Sequence, residues 1–146
     1  MYAFIRSLKA VAIAAVLAGF AFATPSRANV SVHIDISSQR MTVEVDGWYY
    51  ATWKVSTARR GYYTPRGKFR PFLLKRMHYS SKYENSPMPH SVFFRGGYAI
   101  HGTNHIKSLG RPASHGCVRL HPDNARILFN LVKAYGSGAT QIVLVN

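Results

Sequence analysis

Val30, Val32, Ile34 and Ile36 alternate with Ser31, His33 and Asp35, the period of two expected of a half-buried strand. After Ser37-Ser38-Gln39, which reads as a turn, Met41, Val43 and Val45 alternate with Thr42, Glu44 and Asp46 in the same way. Asp46-Gly47 is a strong hairpin signal. The aromatic and β-branched run Trp48–Thr57 follows it as a third strand, so the three predict an antiparallel meander. Ala58 to Gly67, with Gly61, Pro65 and Gly67, reads as a turn region, and Phe69 to Leu74 as a short strand. Arg76 to Pro89 is polar and broken by Pro87 and Pro89, which predicts a long loop; the overlapping Tyr79–His90 stretch reads as a surface loop, with a lid as the alternative. Ser91–Phe94 and Tyr98–Ile100 form a hairpin about Gly96-Gly97, and a loop runs from Gly102 to Arg111.

The period changes at Pro122. Ala125, Leu128, Phe129 and Val132 recur every three to four residues, giving an amphipathic helix over Pro122–Tyr135. Pro122 suits the first helical position, and Asp123 faces the positive end of the helix. Gly136 and Gly138 stop it, and Thr140–Val145 returns to a strand pattern. No internal repeat, low-complexity tract or linker to a second domain interrupts this series. The elements predict a small, mostly β scaffold with one main helix.

The first 28 residues do not fit that scaffold. Arg6 and Lys9 precede an uninterrupted small and apolar run from Val11 to Ala23, and Ser26-Arg27-Ala28 has the small-x-small form of a cleavage site. This reads as a secretory signal over residues 1–28, with a single domain over 29–146. The apolar run falls short of the roughly 20 residues that span a bilayer. Any membrane attachment is therefore expected only through an uncleaved signal. The expected location is the periplasm or cell envelope.

The whole chain carries +14. Arg6, Lys9 and Arg27, with no acids beside them, account for the leader's share, so the remaining domain carries +11. A basic surface favours polyanions. An exported protein rarely meets nucleic acid, whereas cell-wall peptides carry free carboxylates, so nucleic acid is not the expected partner. A generic solvated basic face explains the charge equally well.

Cys117 is the only cysteine, so it cannot form an internal disulfide. An unpaired thiol in an exported chain points to intermolecular pairing or to a reactive group. A thiol attacks a carbonyl as thiolate, and its free pKa near 8.5 leaves little of that form at neutral pH. A neighbouring imidazole can take the proton. His101 ends an apolar strand and approaches freely, whereas His115, two residues before the thiol, is the supporting or substrate-side candidate. Amides near His115, Gly116 and Cys117 could form an oxyanion hole, and Gly116 allows close approach of that backbone. No Asp or Glu lies between 85 and 122, so a backbone carbonyl, such as that of Gly102, is left to orient His101. Arg119 is a candidate for binding a substrate carboxylate. Zinc is the competing use of His101, His105, His115, Cys117 and His121. No helical face aligns His101 with His105 and no acidic ligand is near, so no metal and no cofactor is expected.

Ile100-His-Gly-Thr103 followed by Ser114-His-Gly-Cys-Val-Arg-Leu120 resembles the signature of the L,D-transpeptidase (YkuD-type) catalytic domain. Thr64-Pro-Arg-Gly-Lys-Phe69 and Met88–His101 resemble further segments of that family, and the likeness spans nearly all of residues 29–146. The resemblance implies a mixed β-sandwich or barrel-like fold with a helix near the cysteine loop. It implies attack on a peptidoglycan stem tetrapeptide after its third residue, usually meso-diaminopimelate, with release of D-Ala and a thioester on the cysteine. An amine of a second stem, or of an envelope protein, then resolves the thioester. By position, Cys117 is the implied nucleophile and His101 the base. Gly102, Ser114, His115 and Gly116 are implied to support the pocket and oxyanion hole, and Arg119 to contact substrate. Met88, Phe93 and Tyr98 line the groove or serve the core. Two readings compete: an L,D-carboxypeptidase or crosslink-cleaving hydrolase with the same Cys-His pair, and a wall-binding protein without catalysis.

Overall fold

The structure, a computed structural model, describes residues 29–146. The leader expected over residues 1–28 lies outside them. Among the described residues nine strands, numbered in chain order, form two sheets, with one α-helix beside them. The first sheet has the order β3-β2-β1-β9-β4, from Trp48–Lys54, Arg40–Val45, Val30–Asp35, Thr140–Val145 and Gly67–Phe69. The second has the order β5-β6-β7-β8, from Leu73–Ser80, Ser86–Arg95, Tyr98–Gly102 and Val118–Leu120. Helix α1, Pro122–Tyr135, packs on β6 and β7 of the second sheet and touches β1 of the first. The architecture is mostly β with one main helix, as the alternation predicts.

The hydrophobic faces explain the layering. Val30, Val32 and Ile34 of β1, Met41 and Val43 of β2, and Ile142 and Leu144 of β9 are buried from the first sheet. Val92, Phe94, Ile100, Val118 and Leu120 face them from the second, and Ala125, Leu128, Phe129 and Val132 complete one core from the helix. The meander is antiparallel through β1, β2 and β3, and Asp46 (φ 52°) and Gly47 (φ 82°) both take the left-handed backbone that a two-residue hairpin turn requires. β9 adds to β1 in parallel.

Three expectations need correction. The strand expected over Phe69–Leu74 is two: β4 ends at Phe69 on the edge of the first sheet, and β5 begins at Leu73 in the second. Pro71 lies between them, with no N–H to continue a ladder. The long loop expected over Arg76–Pro89 is mostly ladder, with Met77 opposite Pro89 and Tyr79 opposite Pro87. The prolines fit because β7 pairs with β6 only from Val92 onward, leaving that part of β6 with a free side for positions that lack an N–H. The third strand stops at Lys54 rather than Thr57, and Val55–Ala58 leaves the sheet to pair elsewhere.

Candidate active site

β7 and β8 are adjacent and parallel, with His101 opposite Arg119 and Ile100 opposite Val118. Cys117 immediately precedes β8, so the adjacency of the two strands, about 4.8 Å from axis to axis, brings it near His101 although the two are 16 positions apart in sequence. His101, Cys117, His115, Ser114 and Arg119 all line one cavity of 410 Å³. Met88, Phe93 and Tyr98 line it too, and Met88, Phe93 and Ala99 form a small apolar cluster against Cys117. The sequence-predicted site residues therefore converge. Gly102 and Gly116 act through backbone groups, as follows.

His101 is buried, and its Nδ1 lies 2.7 Å from the carbonyl oxygen of Gly102. A carbonyl can only accept, so Nδ1 carries the proton and Nε2 keeps its lone pair. No carboxylate is needed to fix this tautomer. Burial pushes the His101 pKa down to about 4, against a smaller upward pull from the Gly102 hydrogen bond; Arg119 and His78 add to the lowering. At neutral pH the ring is an uncharged base.

Cys117 is half-buried, and its Sγ lies 3.7 Å from the Gly97 carbonyl. Burial pushes the thiol pKa up; the Ala99 amide and the Arg119 charge partly offset this. The resting pair is thus neutral thiol and neutral imidazole. An attack by this thiol would therefore need proton transfer within the step itself rather than start from a standing ion pair.

The turn that carries the thiol is held by hydrogen bonds. Ser114 Oγ donates to the Cys117 carbonyl (2.7 Å) and accepts from the Gly116 amide (3.0 Å). The Gly116 N–H is therefore engaged within the turn and is not free to serve a substrate oxyanion in this arrangement. Gly116 itself has φ +137°, and a Cβ there would stand 2.7 Å from the Tyr98 ring and 2.8 Å from the Tyr63 carbonyl. Only glycine fits that gap.

His115 has a different environment from His101. Its ring stacks on Tyr83 (centroids 4.2 Å, planes 13° apart) and meets Tyr62 edge-on at 4.7 Å. Arg59 lies over Tyr62 and Lys82 over Tyr83, which extends the stack to a cation at each end. Burial and the charges of Arg59, Arg119 and Lys82 lower its pKa. Tyr83 and Lys82 lie in the turn between β5 and β6, and His78, Ser80 and Ser86 of the same hairpin also line the cavity. The 79–90 stretch thus forms one wall of the site. The surface-loop reading of this stretch is therefore replaced by a hairpin wall, closer to the lid given as its alternative.

The other residues that sequence reasoning missed form a cradle beneath the cysteine turn. Ser56 pairs with Arg119 in both directions, through backbone bonds of 3.0 and 2.9 Å. The Thr57 carbonyl accepts from Ala113 and Ser114, and the Gln39 side chain, 2 % exposed, grips Thr57 by its amide and hydroxyl. The Thr64-Pro-Arg-Gly-Lys-Phe69 segment was the one local signal in this region. Of the other histidines proposed as zinc ligands, His121 accepts from the Asp123 amide as the N-cap of α1. Among the described residues no three His, Cys, Asp or Glu side chains are grouped as a metal site would need.

Residues 29–144 match the family model of the YkuD L,D-transpeptidase catalytic domain. The chain belongs to the L,D-transpeptidase catalytic-domain family. It is 25% identical over 105 residues to a candidate L,D-transpeptidase, YkuD, of Bacillus subtilis (strain 168), covering 69% of this chain and 59% of that protein. Its fold is similar to an L,D-transpeptidase from Mycobacterium smegmatis, with TM-score 0.71 and 26% identity over 81% of this chain and 59% of the other. It is also similar to residues 123–326 of the L,D-transpeptidase from Xylanimonas cellulosilytica DSM 15894, with TM-score 0.67 and 30% identity over 84% and 63% of the two chains. The chain thus spans about three-fifths of the length of these transpeptidases, and the matched part contains the cavity.

Proposed function

We propose that this chain is an exported cell-wall enzyme that transfers peptidoglycan stem peptides through a thioester on Cys117. The observation that carries the reading is the convergence on one cavity of His101, from β7, and Cys117, just before the adjacent β8, with the His101 tautomer fixed by Gly102 so that Nε2 is free. Family membership supplies the reaction class.

In the first half-reaction, Nε2 of His101 takes the Cys117 proton as Sγ bonds to the carbonyl carbon of the third stem residue. Collapse of the tetrahedral adduct breaks the C–N bond. His101 returns the proton to the departing D-Ala amine, leaving a thioester. In the second, an acceptor amine loses its proton to His101, attacks the thioester carbonyl and expels the thiolate, which takes that proton from His101 and restores the neutral pair. Burial of both partners is consistent with a base that works only when substrate excludes water. Arg119, half-buried with no carboxylate within ion-pair reach among the described residues, is the proposed contact for a substrate carboxylate. Met88, Phe93 and Tyr98 supply the apolar wall. The reaction calls on no metal or cofactor.

The acceptor is proposed as the diaminopimelate amine of a second stem, giving a 3-3 crosslink, with a lysine of an envelope protein as the other amine acceptor. The leader-like residues 1–28 and the basic domain support an envelope location. The test is product analysis after incubation with a disaccharide tetrapeptide. A crosslinked dimer and free D-Ala are expected. Tripeptide alone would replace the transferase reading with an L,D-carboxypeptidase, and unchanged substrate would leave a binding protein.

A further inference from the structure

Thr64 has so far entered only as part of a sequence segment. It is 4 % exposed, and its hydroxyl has two partners. Oγ1 accepts from the Ala58 amide at 3.0 Å and donates to the Gly116 carbonyl at 2.8 Å. A threonine hydroxyl has one proton to give, and here it goes to Gly116. Pro65 restricts the backbone of Thr64 to extended conformations, which helps hold the hydroxyl in place.

The acceptor matters more than the bond. The Gly116 carbonyl belongs to the same peptide unit as the Cys117 N–H. That unit is planar and trans, so its C=O and N–H point in opposite directions. Fixing the carbonyl on Thr64 therefore fixes the direction of the Cys117 amide. The Gly116 amide is already engaged by Ser114. Of the two amides at the thiol, the one left to meet a developing oxyanion is that of Cys117. Its peptide has no freedom to rotate while Thr64 holds one edge, Tyr98 and Tyr63 crowd Gly116, and Ser114 holds the Cys117 carbonyl.

We propose that Thr64 is a positioning residue for acyl transfer: through the Gly116 carbonyl it aims the Cys117 N–H as oxyanion donor. This rests on the acyl-enzyme reading above. It predicts a separation between two reactions of the same sulfur. Alkylation by iodoacetamide needs a thiolate but generates no oxyanion, whereas acylation by a tetrapeptide or a carbapenem does.

The test compares both rates in the full chain and in T64V and T64S. In T64V, acylation is expected to fall roughly 10- to 100-fold, toward the loss seen when an oxyanion donor is removed. The maximal rate should carry the loss, with the half-saturating concentration little changed and alkylation within about twofold of wild type. T64S keeps the hydroxyl and is expected to retain acylation within a few-fold. Wild-type acylation in T64V, or parallel loss of alkylation and acylation, would overturn the proposal. If T64V does not fold, T64A, which also lacks the hydroxyl, is measured in its place: slowing confined to acylation supports the role, and no slowing or equal slowing of both rates overturns it. A wild-type chain that alkylates but never acylates would instead refute the acyl-enzyme reading, and this inference with it.

Discussion

At the scale of single residues, the central fact is that His101 is kept neutral by burial. Its folded pKa is about 4, against 6.5 for a free imidazole. Between those values the unfolded chain binds a proton that the folded chain refuses, so stability falls as pH falls. The contribution, up to roughly 3 kcal/mol, is complete above pH 6.5 and gone below about pH 4. His90 and His115, also held down chiefly by burial, act in the same sense. Denaturant unfolding of wild type and His101→Gln at several pH values isolates the His101 part. The variant is expected to lose less stability between pH 6.5 and 4, and equal slopes would show that the ring titrates normally. The same shift places the acid limb of acylation near pH 4 rather than 6.5, because only the protonated ring cannot serve as base. His101→Asn should cost acylation about 100- to 10,000-fold, measured as single-turnover thioester formation.

At the scale of elements, the β5–β6 hairpin is the piece whose role is least obvious from its composition. Its turn closes one side of the cavity through the Tyr83–His115 stack. Such a stack contributes about 0.5–1.5 kcal/mol beyond the area it buries. Tyr83→Ala is therefore expected to raise the half-saturating tetrapeptide concentration roughly 2- to 10-fold, with the maximal acylation rate nearly unchanged. A matching loss in maximal rate would put Tyr83 in the chemistry. Elements whose burial repeats with a local period were legible in the sequence. α1 has the expected bounds, because its 3.6-residue period is framed by Pro122 and Gly136, and β1, β2 and β9 follow their alternation. The hairpin was not legible, because Pro87 and Pro89 signal a loop unless the free side of β6 is known. Nor was the cradle at Ser56–Thr64, whose order comes from bonds to residues about 50 positions away. In the site, Cys117 and His101 stood out because a lone thiol and a strand-end imidazole are rare features. Gln39 did not, and Thr64 did so only as part of a segment with no role attached, because a buried amide and a buried hydroxyl look like any polar residue until their partners are seen.

At the scale of the whole molecule, two sheets and a helix close one core, and the cavity opens at the edge where β7 and β8 run parallel. The domain around it carries +11, with acids only at Asp35, Glu44, Asp46, Glu84 and Asp123. Attraction to the carboxylates of wall peptides should follow from that charge and weaken with salt. Co-sedimentation with purified sacculi is expected to fall as salt rises from about 50 mM to 1 M, where the screening length shrinks to roughly 3 Å; salt-independent binding would assign retention to specific contacts instead. The acyl-enzyme itself is tested most directly by the intact mass of the purified protein after incubation with a disaccharide tetrapeptide, beside a Cys117→Ala control. The account predicts an adduct equal to the disaccharide tetrapeptide less D-Ala on the wild-type chain, and none on the control. An unmodified wild-type mass while substrate is consumed, or an adduct that survives in Cys117→Ala, would contradict it.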